Sequence, residues 1–98
     1  MSLPTHPYTK AQVKKFARQA VEDGRITYSR PHALDRMRQR NASTVDVENV
    51  LRGGFCDEEP ELKDGTWRYK IRSNTFIVVI EFWPDERLFV VTVIRPGR

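Results

Sequence analysis

A chain of 98 residues, 39% of them apolar, has the size of one small domain with a modest core and leaves no room for a second. The single cysteine, Cys56, excludes an internal disulfide. No apolar run approaches the ~18 residues of a membrane span, and no secretory signal stands out, so a reducing cytoplasm is the expected compartment. Seventeen Lys and Arg against thirteen Asp and Glu leave +4, but the excess is local: residues 1–54 hold ten basic and five acidic side chains (+5), residues 55–98 seven and eight (−1). A basic half suits nucleic acid or another polyanion.

The residues before Thr9 form an irregular, proline-containing leader, and Met1-Ser2-Leu3 has no assigned role. Thr9-Lys10-Ala11-Gln12 has the form of a capping box and starts a helix. Val13, Phe16, Ala17, Ala20 and Val21 share one face of it, Lys14, Lys15 and Arg18 lie towards the other, and Gly24 supplies a left-handed stop. Arg25 to Tyr28 leans to β structure. Pro31 then enters the first turn of a second helix that ends near Asn41. Ser43-Thr44-Val45-Asp46 caps a third, whose buried stripe is Val47, Val50 and Leu51 and which ends at Gly53-Gly54.

Asp57, Glu58, Glu59 and Glu61 surround Pro60 in an acidic connector expected to be a solvated loop. No metal is called for, because the ligand spacing of a calcium loop is missing and the two histidines have no cysteine partners. Beyond Gly65 the pattern is β. Trp67, Tyr69 and Ile71 alternate with Arg68, Lys70 and Arg72, predicting a half-buried strand with a cationic face. Phe76 to Trp83 is apolar on both faces except for Glu81, a carboxylate that needs a partner. Pro84 to Arg87 makes a hairpin loop, and Leu88 to Ile94 returns as a strand. Helices followed by a meander predict an α+β fold with the N-terminal helices on one face of a small antiparallel sheet. If Arg68, Lys70 and Arg72 point to the other face, they line a cationic floor.

His32, Arg36 and Arg40 follow one another at i, i+4, i+8 beside the apolar arc of Ala33, Leu34 and Met37. Guanidinium forks suit phosphate, although arginines at this spacing also serve solubility and stem packing alone. Nucleophilic triads and phosphate-cradling glycine loops are unsupported: Cys56 sits among acids, and no Gly-x-Ser-x-Gly turn exists. What remains is metal-free cleavage of RNA, in which the adjacent 2′-OH is the nucleophile. His32 would serve as base or acid, Arg36 and Arg40 would hold the non-bridging oxygens, and Tyr69 or a strand cation would serve the leaving 5′-oxygen. Tyr28, Trp67, Tyr69 and Trp83 are the aromatics available for base stacking.

The run Tyr28-Ser29-x-x-His32-Ala33-x-x-Arg36-Met37-x-x-Arg40, followed by Val47-x-x-Val50-Leu51 and Gly53, resembles a family of bacterial domains of unknown function grouped with the RelE, ParE and MqsR type toxins. The chain is also similar to MqsR in the order of Gln12-Val13-Lys14-Lys15, a short β segment, a helix entered through Ser29 and Ala33-Leu34, a further helix, and strands holding Tyr69-Lys70-Ile71 and Ile77-Val78-Val79. It departs from MqsR by the added strand Leu88 to Ile94. The resemblance implies a RelE-like fold and a toxin-like endoribonuclease, a hydrolase acting on mRNA without metal or other cofactor, with the ribosome as a setting and an antitoxin protein as partner. In MqsR-like enzymes a strand tyrosine with nearby basic residues is implicated. The matching strand here offers Arg68 and Tyr69 side by side, and a one-residue shift decides which of them faces the cleft. His32, Arg36 and Tyr69 are thus the catalytic candidates and Arg40, Arg68, Lys70 and Arg72 the RNA-binding ones. Because ParE-type relatives act on a protein target, a non-catalytic binding module of the same fold is the alternative.

Overall fold

The computed structural model describes residues 6–96; Met1 to Thr5 of the leader, and Gly97 and Arg98 of the tail, lie outside the described residues. Helix α1 spans Lys10–Asp23. The Thr9 hydroxyl accepts the Gln12 N–H at 3.1 Å, and the Gln12 side-chain oxygen accepts the Thr9 N–H at 2.9 Å, so both arms of the capping box are made. Gly24, at φ 70°, turns the chain out of the helix as its lack of a Cβ allows.

After β1 (Ile26–Tyr28), α2 covers His32–Gln39 and α3 covers Thr44–Gly53. Pro31 makes no side-chain cap for α2. Ser29 does that work: its hydroxyl accepts the Ala33 N–H at 3.0 Å and donates to the Val91 carbonyl at 2.9 Å, so one side chain starts the helix and ties it to the last strand. Helix α3 opens on a second capping box, Ser43 with Asp46.

Four strands complete the fold: β2 (Glu61–Lys63), β3 (Thr66–Arg72), β4 (Ile77–Phe82) and β5 (Leu88–Ile94). They form an α+β structure whose five-stranded sheet has the order β1-β5-β4-β3-β2. The sheet is mixed, where a purely antiparallel one was expected. β2 to β5 are an antiparallel meander, but β1 runs parallel to β5, with Ile26 beside Leu88 and Tyr28 beside Val90. The crossover through α2, α3 and a meander returns the chain to that edge. The acidic connector likewise ends in strand β2, which pairs with β3 through a turn containing Asp64 and Gly65, both at positive φ.

Register decides the faces. Tyr69 pairs with Ile80 and Ile71 with Val78, and those side chains join Val90, Val93 and Leu88 in one core with Val13, Ala17, Ala33, Met37, Val47 and Leu51 from the three helices. The helices therefore share one face of the sheet. Burying each such aliphatic side chain contributes roughly 1.5–3 kcal/mol. Val79 is also buried but stands apart from that core, because its side chain points to the opposite face with Arg68, Lys70, Glu81 and Phe89.

Gly54 is where α3 meets the sheet. A Cβ there would lie 2.6 Å from the Val50 carbonyl, 2.7 Å from the Arg72 carbonyl and 2.9 Å from an Ile71 methyl. Only glycine allows this approach, and the next residue, Phe55, exchanges both backbone hydrogen bonds with Arg72 at 2.7 and 2.8 Å.

Candidate nucleic-acid interface

The sequence candidates separate into three places. Tyr69 faces the helices and is 4% exposed. Its hydroxyl accepts the Tyr8 backbone N–H at 3.0 Å, and its ring packs among Tyr8 and Phe82. Burial pushes its phenol pKa up, with the Tyr8 N–H pulling the other way. The ambiguity between Arg68 and Tyr69 is thus resolved by register: Tyr69 belongs to the core side and Arg68 to the open side.

Arg68, Lys70 and Arg72 share the open face as the alternation requires, yet they do not form a free cationic floor. Arg68 Nε donates to Glu81 Oε2 at 2.9 Å, in the best sheltered ion pair among the described residues, which provides Glu81 with the partner it needs. Lys70 lies 3.5 Å from Glu58. Arg72 grips Asp57 with two nitrogens, Nε at 3.1 Å and Nη2 at 2.6 Å, and its guanidinium holds the Asp57 carboxyl below the usual carboxylate range. The acidic connector is therefore only partly a solvated loop: Asp57 and Glu58 neutralise the strand. The Cys56 thiol between these elements has its pKa raised, chiefly by burial.

The α2 row is different. His32 is exposed, and Arg36 and Arg40 are half-buried. Arg36 Nη1 donates only to Gln39 Oε1 at 3.1 Å, while Arg38 on the outer side is occupied by Asp35 at 3.2 Å. Among the described residues no carboxylate comes within ion-pairing distance of His32, Arg36 or Arg40. The row advances about 12 Å along the helix from His32 to Arg40 at 1.5 Å per residue. Ala33 and Met37, both buried, lock the helix onto the core, so the row is presented by a fixed element.

Tyr69 and the α2 row do not meet. Helix α2 packs on β5, while Tyr69 stands on β3 with β4 between. Two strand spacings put roughly 10 Å between them, and Tyr8 and Phe82 pack against the Tyr69 ring. The strand cations lie on the far side of the sheet. Of the four aromatics considered for stacking, Trp67 and Tyr28 pack against the core, whereas Trp83 is 40% exposed and stacks on Phe89 at 4.7 Å. Arg95 was not singled out from the sequence. It follows the last apolar residue of β5, and its Nη2 donates to the Arg40 carbonyl at 3.0 Å, which brings one more cation to the end of α2.

Residues 29–95 match the family described as Domain of unknown function (DUF4258). This chain belongs to that family. The match covers Ser29, the whole α2 row, α3 and strands β2 to β5, so the α2 row lies inside the DUF4258 region and α1 lies before it. No curated protein and no solved structure matches the chain.

Proposed function

We propose that this DUF4258 chain is an RNA-directed domain of the RelE/MqsR-like toxin type, a metal-independent endoribonuclease whose site is the α2 row. The observation that carries the reading is the contrast in pairing: the strand cations are matched by carboxylates, while His32, Arg36 and Arg40 have none among the described residues. A phosphodiester supplies the missing negative charge. The resemblance in the segment from Tyr28 to Arg40 supports the toxin assignment, with mRNA as substrate and an antitoxin as partner.

In the proposed reaction the substrate's own 2′-oxygen attacks the adjacent phosphorus while its proton passes to the His32 imidazole. The bond to the 5′-oxygen breaks, and that oxygen takes a proton from water. The products are a 2′,3′-cyclic phosphate and a 5′-hydroxyl end. Arg36 and Arg40 hold the non-bridging oxygens, where charge accumulates as the fifth bond to phosphorus forms. Tyr69 has no part in this version, because its hydroxyl is committed to Tyr8 inside the core.

The second reading, a non-catalytic module that docks on a protein, is favoured by that same burial of Tyr69: it leaves His32 as the one ordinary proton-transfer group in the row. Incubating the pure chain with a defined RNA in the presence of a chelator separates the two. Cleavage that disappears in His32→Ala and Arg36→Ala supports the enzyme. Growth arrest on expression, with RNA left intact, supports docking.

A further inference from the structure

We propose that Arg40 and Arg95 form a second oxyanion site where the end of α2 meets the end of β5, taking a phosphate next to the one held by His32 and Arg36. The RNA source of that phosphate rests on the reading above; the shared ligand chemistry is a tetrahedral oxyanion, and free phosphate is the other source.

Three observations converge on this place. Arg95 is anchored at one nitrogen, Nη2, by the Arg40 carbonyl at 3.0 Å, and its guanidinium carbon sits 5.4 Å from the centre of the Phe76 ring. An aromatic face on one side and a helix-end carbonyl on the other fix the plane of the fork, while its remaining nitrogens make no hydrogen bond among the described residues. The Arg40 Nε, in turn, is shut off from solvent and has no acceptor. Part of the desolvation that an anion would impose on this guanidinium is therefore already incurred in folding. Finally, neither arginine has a carboxylate within ion-pairing distance among the described residues, although the chain supplies one to Arg25, Arg38, Arg68, Arg72 and Arg87.

The two side chains belong to contacting residues with no acid beside either, and an oxyanion placed between them supplies the missing negative charge. Spacing suits a strand of RNA. Arg36 and Arg40 are one helical turn apart, about 6 Å along the axis, so a chain whose reacting phosphate sits at His32 and Arg36 carries its neighbour towards Arg40 and Arg95. Arg95 would then hold the strand in register without touching the reacting atoms. Arg40 would be shared between the two phosphates, and Arg95 would belong to the second alone.

The test uses the full chain and reads the arginine Nε–H signals by NMR during titration with inorganic phosphate, against chloride at equal ionic strength. Saturable shifts at Arg40 and Arg95, with Arg38 unmoved, are expected, and Arg95→Gln should weaken phosphate binding at least tenfold. Arg95→Lys retains a cation able to donate to the Arg40 carbonyl but lacks the fork, so its binding loss reports recognition in a folded protein. Shifts no larger at Arg40 and Arg95 than at Arg38 would overturn the site. In the RNA arm, Arg95→Gln should flatten the salt dependence of RNA binding by about 0.7 in log–log slope. Saturable phosphate binding with an unchanged RNA slope would overturn the strand-register role and assign the site to free phosphate. A wild type that binds phosphate at Arg40 and Arg95 but no RNA would defeat the RNA reading while supporting the anion site.

Discussion

The Tyr8 backbone N–H donates to the Tyr69 hydroxyl at 3.0 Å, joining the entry to α1 to the middle of β3 across 61 positions of chain. A phenol so placed holds Tyr8 against the sheet. Tyr69→Phe should therefore leave any RNA cleavage within about twofold and reduce stability by about 1 kcal/mol, the worth of one ordinary hydrogen bond. Tyr69→Ala, which empties a core position, should cost about 3–5 kcal/mol. Urea unfolding alongside an RNA cleavage assay checks both.

Ser29 sets the position of the α2 row, because its hydroxyl is bonded to both the first turn of the helix and β5. Ser29→Ala should lower stability by about 1–2 kcal/mol. In hydrogen exchange, the amides of α2 should lose more protection than those of α1, which has its own capping box.

At Gly54, a methyl group meets two carbonyl oxygens and an Ile71 methyl at distances below 3.0 Å. Gly54→Ala should destabilise by about 1–3 kcal/mol, as overpacking does. Gly53→Ala, where no atom lies within 4 Å of the new Cβ, should be close to neutral. Thermal unfolding of the two variants gives the comparison directly.

Alkaline pH provides another expected outcome. Burial, with a smaller contribution from Glu48, pushes the Tyr28 pKa from 10.0 up to about 12. The folded state then holds a proton that the unfolded state releases, so this contribution is fully present below pH 10 and is lost as pH rises from about 10 towards 12. Stability should fall across that window, and phenolate absorbance should develop later in the native chain than in urea-unfolded protein. Removing the Tyr28 hydroxyl with Phe should reduce that pH dependence.

Local signals in the chain proved the most legible. The Thr9 capping box, the Ser43 N-cap, the left-handed Gly24 and the need of Glu81 for a partner can be read from a few adjacent residues, because each is made by groups close in sequence or by a charge out of place in an apolar strand. The parallel pairing of β1 cannot be read that way: three residues carry too little periodicity to choose an edge, and their partner lies some sixty positions on. Strand β2 was hidden because Glu61 and Lys63 flank Leu62 with charge, even though Asp64-Gly65 is a hairpin signal. In the candidate site, the i, i+4 spacing of His32 and Arg36 falls on α2, while Arg40 stands just past it as the C-cap. Alternation placed Arg68, Lys70 and Arg72 on one face, but their neutralisation by Glu81, Glu58 and Asp57 depends on contacts between separate elements. Arg95 gave no periodic signal at all, since its link is to a backbone carbonyl.

The central claim is that the unpaired α2 cations, and not the ion-paired strand cations, meet RNA. It is tested most directly by measuring single-stranded RNA affinity against salt concentration for wild type, Arg36→Gln and Arg68→Gln. Each phosphate contact contributes about 0.7 to the log–log slope. Arg36→Gln should flatten the slope by about that amount, while Arg68→Gln should leave it unchanged. A slope unaffected by Arg36→Gln but reduced by Arg68→Gln would contradict the account.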